Sequence, residues 1–194
     1  VAMSEPAAPD SVGIVTPRIA HFDAPLALAC GRTLEAWDLV YETYGTLDAD
    51  GANAVLLNGY GGYGISDTPF FLGATRRMWF DAGGIYVIAN IRGGGEFGPR
   101  WHQAALKANR NKAYEDFIAV AEDLVRRKVT STPHLGIQGG SNGGLLTGNM
   151  TVLYPQLFGA VVCQVPLLDM QRYSKLLAGA SWMAEYGDPD KPEE

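Results

Sequence analysis

Apolar residues gather in four short runs along the last three-quarters of the chain: AVLLN (54–58), GIYVIANI (84–91), HLGIQG (134–139) and GAVVCQVPLL (159–168). Runs this short and this continuous predict parallel strands covered on both faces. Between the second and third runs, Phe117, Val120, Ala121, Leu124 and Val125 form one stripe at helical spacing, and EDLVRRK supplies the polar side, which predicts an amphipathic helix. A further helical stretch precedes the fourth run. Upstream, Trp37, Leu39, Tyr41 and Thr43 alternate with outward positions and predict a half-buried strand, followed by a turn in GTLDADGAN. The opening VAMSEPAAPDSVGIVTPR, rich in Pro, Ala and Ser, reads as a tail or weak edge structure. Strands alternating with helices give an α/β class, a mostly parallel sheet flanked by helices. Residues 1–20 are expected to be tail and 21–194 a single domain.

Composition narrows the function classes. The chain has 194 residues, of which 47% are hydrophobic, enough for one domain with a sizeable core. A net charge of −6 without a basic stripe argues against a nucleic-acid partner. No apolar run reaches membrane length and no secretory signal pattern appears, so the expectation is a cytoplasmic protein with no membrane partner. Cys30 and Cys163 stand far apart without metal-type spacing and read as reduced core thiols; no metal or cofactor is expected.

The chemistry is concentrated in HLGIQGGSNGGLLTGNM. Gly139, Ser141 and Gly143 form G-x-S-x-G between an apolar strand and a helix of small residues. In a sharp strand-to-helix turn the flanking glycines let the backbone pass closely, the serine Oγ stands above the sheet, and the following N–H groups point at one spot. The plainer reading is a glycine-rich turn whose serine caps a helix. A second glycine-rich loop, GYGGYGIS (59–66), satisfies G-x-G-x-x-G at Gly59, Gly61 and Gly64. A dinucleotide loop would run straight into a helix. Here Ile65-Ser66-Asp67-Thr68-Pro69 follows, and Pro69 suits a first helical turn capped by Asp67 or Thr68. The next run ends in Asn90-Ile91-Arg92, with no acid for a ribose; the arginine alone would suit a 2′-phosphate. One strand away from a serine elbow, the loop reads instead as the source of a second oxyanion donor.

GYGGYGIS, ANIRGGGEFGPRWHQAALKANRNKAYEDFIAVAEDL, GIQGGSNGGLL and LLAGASWMAEYGDP resemble the peptidase domain of the prolyl oligopeptidase family over about residues 56–194. The resemblance implies an α/β-hydrolase fold and cleavage of peptide bonds after proline. It implies Ser141 as nucleophile, the Asn142 backbone N–H as one oxyanion donor and the Tyr60 hydroxyl as the other. It further implies Tyr63, Trp182 and Tyr186 as walls of the substrate pocket, with the Trp182 indole stacking on the proline ring. A flat aromatic face selects a rigid pyrrolidine by area rather than charge; without the resemblance, Trp182 and Tyr186 read as core. The segment HFDAPLALACGRTLEAWDLVYETYGTLDADGANAVLL (21–57) resembles instead the N-terminal strands of homoserine O-acetyltransferases, also α/β-hydrolases, with a junction near 54–58.

The general base is missing from this pattern. In this fold the order is Ser, acid, His, yet none of the 53 residues after Ser141 is histidine. His21, His102 and His134 all lie upstream. His134 opens the strand whose far end bears the serine, seven residues or roughly 20 Å away at about 3.3 Å per residue. His102 lies in a loop region after another strand and has a path to the serine in principle. Asp169, Glu185, Asp188 and Asp190 follow Ser141, and none is assigned as the acid. The expectation is a truncated serine hydrolase acting on peptide or ester carbonyls, lacking the last strands and so leaving an open sheet edge available for self-association. An acyltransferase related to homoserine O-acetyltransferase, or a noncatalytic α/β binding module, are the alternatives.

Overall fold

A computed structural model describes residues 18–23, 25–27, 33–41, 47, 50, 52–68 and 73–191. The chain divides into two compact units, Val1–Thr46 and Leu47–Glu194. In the first, β1 (Arg18–Phe22) pairs antiparallel with β4 (Trp37–Tyr41), setting Ile19 opposite Val40 and His21 opposite Asp38. The two-residue strands β2 (Leu26–Ala27) and β3 (Thr33–Leu34) form a second antiparallel pair. The alternating pattern at 37–41 is thus a strand, while Thr43 and Cys30 lie outside the described residues. β1 also takes in Arg18, at the end of the opening stretch read as tail or weak edge.

The second unit is an α/β layer structure. Four parallel strands, β5 (Val55–Gly59), β6 (Ile85–Ala89), β7 (Leu135–Gly140) and β8 (Ala160–Gln164), stand in the order β6-β5-β7-β8. They coincide with the four apolar runs. Helices connect them: α1 (Gly73–Asp81), α2 (Pro99–Gln103), α3 (Asn111–Arg126) and α4 (Asn142–Leu153), with α5 (Met183–Tyr186) near the end. Register places Leu57 beside Val87 on one side and Ile137 on the other. The approach to β5 is tied to the approach to β7: Asn53 donates its side-chain amide to the Val129 carbonyl (2.9 Å), and the Thr130 hydroxyl donates to the Asn53 carbonyl (2.7 Å).

The helical stripe of α3 closes one face of the sheet. Phe117 and Ala121 are fully buried and Ala113 and Leu124 nearly so, whereas Val120 and Val125 flank the core half-buried. Leu57, Leu135 and Ile137 meet them from the sheet, Leu146 and Met150 from α4. The prediction of strands covered on both faces needs correction at the outer strands. β6 is half-buried over its first four residues, and every residue of β8 is exposed. Among the described residues β8 forms a sheet edge, with strand neighbours on one side alone. The same position corrects the expectation for Cys163, which is free and exposed rather than a core thiol, its Sγ donating to the Gly144 carbonyl (3.3 Å). The helix after the first glycine loop is described from Gly73, and the expected first-turn Pro69 lies outside the described residues. Among the described residues no helix is long and apolar enough to cross a membrane.

Phe117 fills the layer between sheet and helix, and its ring packs edge-on to the end of β5 at Gly59. Phe117→Ala is expected to cost about 3–5 kcal/mol in urea unfolding, from lost burial plus the cavity left behind. A cost below about 1 kcal/mol would mean that this layer does not hold the fold together.

Candidate active site

The elbow is built by β7 running directly into α4. Ser141, between them, has φ 56° and ψ −114°, a left-handed conformation in which a non-glycine residue is strained. It is held there by its own N–H donating to the Gln164 carbonyl of β8 (3.0 Å) and by its carbonyl accepting the Leu145 N–H (3.0 Å). Its flanking glycines are required by space. A Cβ on Gly139 would lie 2.2 Å from the Gly143 carbonyl oxygen, and a Cβ on Gly143 would lie 2.4 Å from the Gly59 carbonyl oxygen. Neither backbone oxygen can move without breaking the turn or the end of β5. Ser141 is exposed, while Asn142 and the next five residues are buried. Ser141 is thus the exposed residue at the N-terminus of α4.

The parallel sheet brings the 59–66 loop to the same end. β5 and β7 are adjacent, so the loop leaving Gly59 and the elbow leaving Gly140 emerge side by side. Tyr60 is half-buried, and its hydroxyl lies within hydrogen-bonding reach of the Ser141 hydroxyl. Burial raises the Tyr60 pKa; the Ser141 hydroxyl opposes the shift, and the Glu185 carboxylate adds to it. Tyr60 thus stays a protonated donor through the neutral and mildly alkaline range.

The aromatic residues of the 59–66 loop and of α5 meet one another. The rings of Tyr63 and Tyr186 pack edge-to-face at 5.8 Å, and Tyr173 packs against Tyr186 in the same manner at 5.6 Å. Arg110 lies over the Tyr186 ring at 5.1 Å. The Tyr186 hydroxyl donates to the Asn142 Oδ1 (2.8 Å). Burial raises the pKa of both Tyr63 and Tyr186, most for Tyr186. Trp182 stands apart from this ring cluster. It is half-buried in the helical turn Gly179–Trp182 that leads into α5, and the ring contacts among the described residues do not reach it. The structure thus joins Ser141, Asn142, Tyr60, Tyr63 and Tyr186 in one cluster and leaves Trp182 beside it.

Among the described residues none of the three histidines bonds the Ser141 hydroxyl. His134 bonds the Ser131 hydroxyl (2.8 Å) before β7, at the end of that strand opposite the elbow. His102, on α2, has its Nε2 2.7 Å from Glu185 Oε2. His21 lies 3.1 Å from Asp23 in the N-terminal unit. The arginine once compatible with a 2′-phosphate is also engaged: Arg92 grips Asp116 of α3 with Nε (2.8 Å) and Nη2 (2.6 Å), and Asp116 accepts the Arg92 N–H as well (2.9 Å). That bidentate pair fixes the loop after β6.

Sequence reasoning missed the buried polar groups beneath the cluster. Glu185 accepts the Tyr63 N–H (2.9 Å) and pairs with Arg110 (3.2 Å) as well as His102. Both Glu185 and Arg110 sit inside the blocks that carried the resemblance, but nothing in their spacing says that they meet.

The sequence profile of the prolyl oligopeptidase family matches residues 72–194. The chain belongs to the prolyl oligopeptidase family. A peptidase of Sinorhizobium fredii described as uncharacterized, y4nA, is 57% identical over 145 residues, covering 75% of this chain and 20% of that protein. The prolyl endopeptidase of Dictyostelium discoideum is 42% identical over 152 residues, 77% of this chain and 20% of that one. Among solved structures, a post-proline cleaving enzyme from Rickettsia typhi superposes with a TM-score of 0.74 at 43% identity, over 91% of this chain and 25% of that one. The fold is therefore the α/β-hydrolase fold of this family, and the chain spans about a fifth of the length of the curated relatives it matches. The matched span holds Ser141, Asn142, Trp182 and Tyr186; Tyr60 and Tyr63 lie just upstream of it.

Burial of tyrosines has a direct readout. Tyr60, Tyr63, Tyr114 and Tyr186 all have pKa values raised above the ordinary 10.0, chiefly by burial. A raised phenol pKa favours folding below the unfolded value, and that contribution disappears as pH rises through the folded value. Ultraviolet titration of the nine tyrosines is expected to leave at least these four protonated above pH 10 and to ionise the last of them together with unfolding. Full ionisation near pH 10 with the fold intact would contradict the buried placement.

Proposed function

We propose that this chain carries the nucleophile, oxyanion hole and proline pocket of a serine peptidase that cleaves peptide bonds after proline. The observation that carries the reading is Ser141, left-handed between β7 and α4, with the Tyr60 hydroxyl in reach of its own. Ser141 Oγ attacks the scissile carbonyl carbon, forming the C–O bond of a tetrahedral intermediate. The carbonyl oxygen gains the negative charge, which the Tyr60 hydroxyl and the Asn142 N–H stabilise as fixed donors. The C–N bond then breaks as the amine takes up the proton lost by Ser141, and water cleaves the acyl-enzyme ester, its hydroxyl going to the acyl carbon and its proton back to Ser141 Oγ. Tyr63, Trp182 and Tyr186 offer the aromatic surface for a proline ring.

The Ser141 proton needs an acceptor, and among the described residues no histidine bonds the Ser141 hydroxyl; the histidine partners are Asp23, Glu185 and Ser131. With its proton retained, a serine is a weak nucleophile at neutral pH. The chain as it stands is therefore expected to hydrolyse activated esters slowly and proline amides negligibly. The oxyanion donors alone supply a residual advantage of about 10³–10⁴ over water, as in enzymes stripped of their triad. A fluorophosphonate probe should label wild type slowly and leave Ser141→Ala unlabelled, and Tyr60→Phe should slow that labelling by about a further 10²–10³-fold. Labelling that survives Ser141→Ala would overturn the assignment. Proline-amide turnover at ordinary enzyme rates, lost in His102→Ala, would make His102 the base.

The likeness of residues 21–57 to homoserine O-acetyltransferases suggests a junction near 54–58, at the start of β5; the division of the chain into units at Thr46 and the family match beginning at residue 72 are in keeping with it. Self-association through β8 is supported by its exposed edge, with Val161 and Val162 exposed on it. Sedimentation of wild type as a dimer and of Val162→Lys as a monomer is the expected result; a monomeric wild type would rule this out.

A further inference from the structure

Beneath the 59–66 loop lies a buried ion pair that the chemistry above leaves unused. Arg110, at the start of α3, is 9% exposed and Glu185, in α5, 4%. Removing two charges from water is costly, and the pair persists only where surrounding hydrogen bonds compensate. Those bonds converge on one stretch of backbone. Arg110 Nη1 donates to the Gly61 carbonyl (3.0 Å) as well as to Glu185 Oε1 (3.2 Å). Its Nη2 donates to Asn142 Oδ1, and the Asn142 carboxamide in turn donates through Nδ2 to the Tyr60 carbonyl (2.5 Å). Glu185 Oε1 accepts the Tyr63 N–H (2.9 Å). The backbone is therefore gripped at residues 60, 61 and 63 by groups that all lead back to one guanidinium.

We propose that Arg110, with Glu185 as its counter-ion, is a positioning residue for the oxyanion hole, acting through the side chain of Asn142. The proposal rests on the oxyanion role given above to Tyr60 and the Asn142 N–H. That hole draws one donor from a glycine-flanked loop and the other from a helix start, two segments with no covalent reason to keep a fixed separation. Glycine-rich backbone carries the largest conformational entropy, while stabilisation of a developing oxyanion requires donors held within a fraction of an ångström. The Asn142 carboxamide spans the gap, tying Tyr60 to Arg110 from the residue whose backbone N–H is the second proposed donor. Lysine at position 110 would keep the charge beside Glu185 but lose the planar fork that serves Gly61, Glu185 and Asn142 together.

The test compares wild type with Arg110→Lys, which keeps Glu185 paired, and Asn142→Ala, which keeps the backbone N–H. The rate of Ser141 labelling by a fluorophosphonate is expected to fall about 10²-fold in each, the scale of a misplaced catalytic group. The double variant should lose little more than either single one, because both break the same linkage. Amide hydrogen exchange should rise at residues 60–63 while the protection of β5 and β7 stays. Labelling of both variants at the wild-type rate would overturn the proposal and leave the serine-peptidase reading standing. Unchanged protection at 60–63 in Arg110→Lys would likewise overturn the positioning role alone, and if wild type itself fails to label at Ser141, the serine-peptidase reading falls and the positioning role falls with it.

Discussion

Everything at the candidate site depends on how closely three pieces of backbone approach one another at the carboxyl end of the sheet. The end of β5, the end of β7 and the first turn of α4 meet where no side-chain carbon fits: a Cβ on Gly143 would fall 2.4 Å from the Gly59 carbonyl oxygen, and one on Gly139 would fall 2.2 Å from that of Gly143. Because β5 and β7 run parallel and adjacent, the loops leaving both emerge on the same side. That is the ordinary place for a site in an open parallel sheet. Here the contact is close enough to bring a loop tyrosine and a strained serine within hydrogen-bonding reach. The left-handed Ser141 is over-determined by its bonds to Gln164 and Leu145, which is how a costly conformation persists.

Below this junction the forces change from packing to buried charge. Phe117, Leu57 and Ile137 make an apolar floor, and the polar groups above it are shielded from water and matter correspondingly more. Arg110–Glu185 and Arg92–Asp116 each tie a loop at the strand ends to a helix, with several hydrogen bonds per ion. The pairs on the outer helix faces are of another kind. Arg77–Asp81 is exposed on both sides and contributes little to stability under ordinary salt conditions. The raised pKa values of Tyr60, Tyr63 and Tyr186 arise from the same enclosure, chiefly through loss of hydration.

Local rules carried the strands and the elbow. Short apolar runs bounded by glycine, a helical stripe through Phe117 and Leu124, and G-x-S-x-G between strand and helix are each set by neighbours within a few residues, so they were legible before any fold was known. The same reading overestimated coverage at the sheet's outer strands, because apolar content says that a strand can be buried and not that a layer lies over it. Cys163 is exposed for that reason. The tertiary structure alone decided which distant residues share the space behind the loop. Arg110 and Glu185 are 75 positions apart, and Asn142 and Tyr60 are 82 apart. No periodicity links such pairs; they meet because parallel strands deliver their loops to one end of a sheet. A charge is stable in that space only when another part of the chain arrives to pair with it.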